Sequence, residues 1–219
     1  MSDFPPPPPP PAFPPPPSGP PAPSGGYPAT LTVNLPEKVG RWRVIGNIIL
    51  AIPHLIILYV LNIVAQVLGF VAWLLGVFTG SVPEGILNVI AMVLRYQTRV
   101  GIFALYLTEE YPPFAFESTA HDPGDYASVR VDFWPQTEGR NRLTIFFRLF
   151  MVIPHFIALF FVVIAFYFVL LIAFFAVLIL GRWPSGLRDF AVGLHRWSVR
   201  LYAYFYLLTD EYPPFGFSE

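Results

Sequence analysis

The stretch Phe156–Leu180 reads FIALFFVVIAFYFVLLIAFFAVLIL, and it decides how the rest of the chain is read. Its 25 residues hold no charge, no proline and no glycine, and Tyr167 is the one polar side chain. A helix rises ~1.5 Å per residue, so ~20 apolar residues cross a hydrocarbon core of ~30 Å, and this segment is long enough. Around it, the chain of 219 residues is 55% hydrophobic, 17% aromatic and 12% charged. Such a composition belongs to a small polytopic membrane protein rather than a soluble domain. A net charge of −1 supplies no bulk field for nucleic acid. The absence of cysteine removes disulfides, thiolate metal sites and thiol nucleophiles. No charged n-region leads into a short apolar core, so no cleavable signal peptide is visible, and the first span is expected to act as the insertion signal.

A second copy of the stretch lies about one hundred residues upstream. Pro53-His54 matches Pro154-His155, Pro83 matches Pro184, and Arg95 and Arg99 match Arg196 and Arg200. Glu110-Tyr111-Pro112-Pro113-Phe114 matches Glu211-Tyr212-Pro213-Pro214-Phe215, and all these pairs are 101 residues apart. The chain therefore divides into unit one (27–118), a linker (119–125) and unit two (126–219), with a pseudo-two-fold axis expected between the units. Residues 1–26 precede them as a proline-rich tail with unbroken runs at Pro5–Pro11 and Pro14–Pro17. Such a tail adopts extended polyproline II and has too little apolar surface to fold. It reads as a solvated spacer or as a docking peptide for a protein partner with an aromatic-lined groove.

Each unit opens with an alternating, strand-like run, Thr30–Leu35 and Ser128–Phe133. Each closes with a second short candidate, Phe114–Phe116 and Phe215–Phe217, and the opening and closing strands of a unit are expected to pair. The apolar segments Val44–Phe78 and Leu143–Leu180 exceed one bilayer thickness. Interior prolines kink helices, so residues 41–52 and 142–153 read as interfacial lead-ins and the spans as 54–79 and 155–180. A third, amphipathic element follows each span, with Glu84, Asn88, Arg95, Thr98, Arg99 and Tyr106 on one stripe in unit one. In unit two the stripe carries Ser185, Asp189, Arg196 and Arg200, with Arg188 at its edge.

Lys38, Arg41 and Arg43 precede the first span, and Arg140, Arg142 and Arg148 the second. The positive-inside rule places both clusters, and the N-terminus, in the cytoplasm. Either the striped helices cross back, giving four transmembrane helices, or each long segment is a re-entrant hairpin with the striped helix lying flat. The unbroken Phe156–Leu180 favours four crossings. The fold class expected is thus mainly α, an integral multi-pass protein of the cell membrane built from a tandem duplication.

The residues able to carry chemistry are few. Arg95, Arg99, Arg196 and Arg200 are the candidate anion or lipid contacts, because guanidinium pairs bidentately with phosphate. The plainer reading is a structural set neutralised by Glu84, Asp189 or headgroups. His54 and His155, each beside a kink proline, could meet across the axis and hold a haem or a metal, or could simply cap the kinks. Glu110-Tyr111 and Glu211-Tyr212, with their Pro-Pro-Phe, look like interfacial anchors. No spaced acid pair, nucleophile elbow or glycine-rich phosphate loop is present, so no cofactor and no catalytic residue is expected.

The paired Ile-Pro-His and Glu-Tyr-Pro-Pro-Phe motifs, the arginine-bearing helix between them and the strand-like lead-in resemble an uncharacterised bacterial membrane family, domain of unknown function 4389. The likeness covers residues 27–219. It implies a tandem repeat in a membrane, and a bacterial one, and brings no activity, cofactor or site residue. The expected function is that of a non-enzymatic scaffold or membrane-organising protein whose partners are the lipid bilayer and whatever binds the tail. The alternatives are an anionic-lipid-binding or transporter-type subunit using the four arginines and, behind it, a haem-binding redox subunit.

Overall fold

The computed structural model describes residues 25–218, so the proline runs lie outside the described residues. The chain is mainly helical, in the order β1 (Ala29–Val33), α1 (Arg43–Thr79), α2 (Glu84–Ala104), β2 (Val129–Phe133), α3 (Arg142–Met151), α4 (Ile153–Leu180) and α5 (Ser185–Phe205). Three helical stretches, α1, α2 and the α3–α4 run, are long and apolar enough to cross a membrane by length and composition. Helix α5 is 21 residues long, like α2, but carries Arg188, Asp189, Arg196 and Arg200.

Helices α2 and α5 form the middle of the molecule and run antiparallel. At one end Trp183, just before α5, donates its indole N–H to the carbonyl of Tyr106, just after α2, at 3.2 Å. At the other end Tyr206, just after α5, packs against the buried cluster of Ala65, Met92 and Val93, to which the first half of α2 contributes. Between them His195 lies so close to Gly101 that a Cβ there would meet its ring at 3.2 Å.

Above this pair lies a two-stranded antiparallel sheet, with Ala29 opposite Phe133, Leu31 opposite Val131 and Val33 opposite Val129. The opening strands of the two units therefore pair with each other. The expected pairing of opening with closing strands is corrected: Phe114–Phe116 and Phe215–Phe217 are not strands. Their rings serve another purpose, since Phe114 stacks on His54 at 4.3 Å and Phe215 on His155 at 3.8 Å. The outer edge of β2 is taken instead by the linker. Val131 N–H donates to the Asp122 carboxylate at 2.9 Å and Phe133 N–H to the carbonyl of Ala120 at 3.1 Å. A sheet edge closed in this way offers no template to another chain.

The strands are also exchanged: β1 packs on α5 and β2 on α2. Tyr27, before β1, donates its hydroxyl to the carbonyl of Glu211 at 3.0 Å, and Tyr126, before β2, donates to that of Glu110 at 2.7 Å. Each unit's opening segment thus completes the other unit.

Beneath α2 and α5 lie the long helices. Helix α1 buries one narrow stripe, Val44, Asn47, Ala51, His54, Leu58, Ala65, Gly69, Ala72 and Gly76. Its small residues admit neighbours closely, with Tyr206 against Gly69 and Ile145 against Gly76. Helix α4 reaches the other way, accepting the Tyr106 hydroxyl at the carbonyl of Leu170 at 3.2 Å. The opposite faces are apolar and open, with Tyr59 72% and Phe168 65% exposed. Helix α1 is continuous through Pro53, whereas unit two breaks at Val152. The lead-in at 142–153 is thus a separate helix, and the one at 41–52 is not. Pro154 has no N–H to give and fits the first turn of a new helix, while α1 absorbs the bond missing at Pro53. Both long helices end on a left-handed glycine, Gly80 (φ 75°) and Gly181 (φ 67°), a backbone state open to a residue without Cβ.

Candidate functional site

The stripe arginines point away from the long helices, toward the sheet and the segments beside it. In unit one, Arg99 donates to both carboxylate oxygens of Asp122 at 2.8 and 2.9 Å and to Asp125 at 2.8 Å. Arg95 donates to the carbonyl of Thr119 and stands 3.9 Å from Asp122. Asp122 also accepts from the backbone N–H groups of Val131 and Gly124, so one buried carboxylate ties α2, β2 and the turn Asp122-Pro123-Gly124 together. In unit two, Arg200 donates to the carbonyls of Gly216 at 2.7 Å and Ser218, and Arg196 to that of Leu31 at 3.3 Å. The expected neutralising groups are corrected for unit one, where Glu84 bonds Asn88 instead.

Near the start of each unit a second pair of equivalent positions meets carbonyls in the last turn of the striped helix and just beyond it. Asn47 donates to Phe103 at 2.9 Å and Thr108 at 2.8 Å. Arg148, 101 residues on, donates to Tyr204 at 2.6 Å and Thr209 at 2.9 Å, and to Asp210 at 2.6 Å. Arg148 is thus buried rather than part of an exposed cationic cluster. Arg140 bonds the carbonyl of Leu207 and lies 3.7 Å from Asp210. Burial pushes its guanidinium down to about 10, against the pull of Asp210, and leaves it charged at neutral pH. Burial likewise pushes the phenols of Tyr27 and Tyr126 up, which keeps both as neutral donors.

The histidines do not meet. His54 lies among Tyr96, Tyr111 and Phe114, and His155 among Trp197, Tyr212 and Phe215, all of the same unit in each case. His54 Nδ1 is 2.6 Å from the Tyr96 hydroxyl, and Trp197 donates to His155 Nδ1 at 3.0 Å. Indole only donates, so the neutral His155 carries its proton on Nε2. Each histidine therefore locks the Pro-Pro-Phe segment onto its own helices. Among the described residues no group of three His, Cys, Asp or Glu is placed to hold a metal. Glu110 accepts from Ser128 N–H at 2.9 Å and its hydroxyl at 2.5 Å, while Tyr111 and Tyr212 remain part-exposed beside the long helices.

The sequence reading missed Asp122, Asn47 and the exchanged tyrosines. The 101-residue offset could have flagged Asn47 against Arg148. For Asp122 the sequence offers only the Asp-Pro-Gly turn signal.

These ties define a class: a duplicated, mainly helical protein with a polar strand layer on one side and an apolar helix layer on the other. The chain belongs to the family described as Domain of unknown function (DUF4389), whose model matches residues 41–115 and 142–216, about two-thirds of the chain. The two matches lie one repeat offset apart. No curated protein and no solved structure matches the chain.

Proposed function

We propose that the protein is a non-enzymatic membrane protein that organises the bilayer or partner proteins, with the proline-rich residues 1–26 as an arm for a protein partner. One observation carries the reading. The side chains with chemistry to offer, Arg95, Arg99, His54, His155 and Glu110, serve as ties between layers, while the outer surface of α1, α3 and α4 is left apolar. An exposed apolar surface of this extent marks a membrane or protein contact. The sequence favours four crossings of the cell membrane with a cytoplasmic N-terminus. Three helical stretches meet that requirement by length and composition, and α5, with its charges, would have to cross inside the protein.

Reconstitution of the full chain into vesicles tests the organising role. Vesicle size or shape should change with the protein-to-lipid ratio, with no substrate added. Unchanged vesicles, together with unchanged cross-linked partners on deleting residues 1–26, would overturn it.

A second reading has one observation in its favour. Arg196 and Arg200 line a cavity of about 250 Å³ with Tyr27 and Thr32, large enough for a phosphate-sized anion. If this is an anionic-lipid site, Arg196→Gln lowers retention of anionic lipid in native mass spectrometry. Equal retention removes the reading.

A further inference from the structure

From the layer order we infer that the protein lies flat in one leaflet, with its pseudo-two-fold axis along the membrane normal and no helix crossing. In this disposition α1, α3 and α4 sink among the acyl chains. Helices α2 and α5 lie at headgroup depth, and the sheet and linkers face water. The inference rests on the membrane reading above and replaces four crossings with none.

The sheet runs alongside the helices, not at their ends. Ser128, just before β2, bonds Thr108 just beyond the C-terminus of α2 at 2.9 Å. Gln136, after β2, donates its N–H to Leu208, beyond the C-terminus of α5, at 2.9 Å. Those are opposite ends of an antiparallel pair, so the polar layer covers the whole length of α2 and α5. Were the helices upright, exposed Glu117, Asp125 and Arg130 would sit at mid-membrane depth beside irregular backbone. Hydrocarbon admits neither. Laid flat, the same groups are in water.

Length points the same way. Helix α1 has 37 unbroken residues. At ~1.5 Å each it is ~55 Å long, nearly twice the ~30 Å hydrocarbon core. From Val44 to Phe78 and from Leu149 to Leu180 the sequence holds no Asp, Glu, Lys or Arg. An in-plane helix has no thickness to match.

The rim matches a lipid surface in charge and chemistry. Trp42, Tyr111, Phe114, Tyr212 and Phe215 are exposed between the apolar and polar layers, where amphipathic rings favour headgroup depth. Exposed Lys38 and Arg182 flank one end and Arg142 the other, placed for lipid phosphates. The exposed Lys38, Arg41 and Arg142 then lie on one face of the membrane without a returning helix, as the positive-inside rule requires.

The chain has no native cysteine, so single-Cys variants at Ser81, Ser118, Ser185 and Ser218 report orientation cleanly. They are treated with an impermeant maleimide in membrane vesicles of the two opposite orientations. All four should label from the same face, with labelling lost from the other. Ser81 and Ser185 labelling from opposite faces would overturn the inference in favour of upright helices. Ser81 and Ser185 labelling together, opposite to Ser118 and Ser218, would overturn it in favour of four crossings. Fluorophores at Val60→Cys and Ile164→Cys, challenged with acyl-chain-brominated lipid, separate this from the underlying reading. Quenching there is expected in any membrane disposition. No quenching, with release by alkaline carbonate, would overturn the membrane reading itself and the inference with it.

Discussion

Units one and two place the same groups at the same offset but tie them with different chemistry. In unit one the striped helix is held by a carboxylate, Asp122, reaching Arg99 and Arg95. In unit two Arg200 is held by the carbonyls of Gly216 and Ser218. At the start of the units the balance reverses, with neutral Asn47 in one and charged Arg148 with Asp210 in the other. The fold requires the carbonyls at and just beyond the end of each striped helix to be satisfied, and either a short amide or a long guanidinium does so. It does not require the same charge. A repeat can therefore drift in polarity while its backbone geometry stays fixed.

The comparison is most easily broken at Asp122. Asp122→Ala leaves Arg99 buried with only the part-exposed Asp125 and strips two backbone N–H groups of their acceptor. Removing one partner of a buried pair costs about 3–5 kcal/mol, so the thermal midpoint in detergent should fall steeply. A change no larger than at a surface site would mean that Asp122 is not the tie. Arg148→Ala comes next, at about 3 kcal/mol, since three groups lose a charged donor. Arg148→Asn should recover part of that loss by imitating unit one, and a loss equal to that of alanine would show that the two sites are not equivalent.

Asn47→Ala loses two neutral hydrogen bonds and should cost about 1–3 kcal/mol by the same melts. The smallest effect belongs to Asp125→Asn, a part-exposed partner of Arg99, at no more than about 1 kcal/mol and reduced by salt. A cost there matching that of Asp122→Ala would place the centre of the network at Asp125.

The duplication and the helical layer were legible because hydrophobic runs and the 101-residue offset are local patterns. The same offset recurs in the left-handed residues after the striped helices, Tyr106 (φ 47°) and Leu207 (φ 63°). The strand partners were not legible. Alternation in Thr30–Leu35 and Ser128–Phe133 announces strands but not which strand each one meets. That choice is made by the two-fold symmetry of the helices beneath. The arginine site was half legible: the stripe of Arg95, Arg99, Arg196 and Arg200 was visible, but Asp122 lies in a seven-residue segment that reads only as a turn. The histidines were visible as motif residues, yet their aromatic cover arrives 60 residues later in each unit, at Phe114 and Phe215.

The exchange of opening strands is tested most directly at the centre of the sheet. Leu31 and Val131 are directly opposed. The neighbouring pair Asn34–Ser128 is hydrogen-bonded, which makes Leu31–Val131 a non-hydrogen-bonded pair whose Cβ atoms approach to ~4.5–5.5 Å. In the double variant Leu31→Cys/Val131→Cys, mild oxidation in membranes should close an intramolecular disulfide in most of the protein. Free thiols persisting under those conditions, or cross-links only between chains, would contradict the exchanged-strand fold.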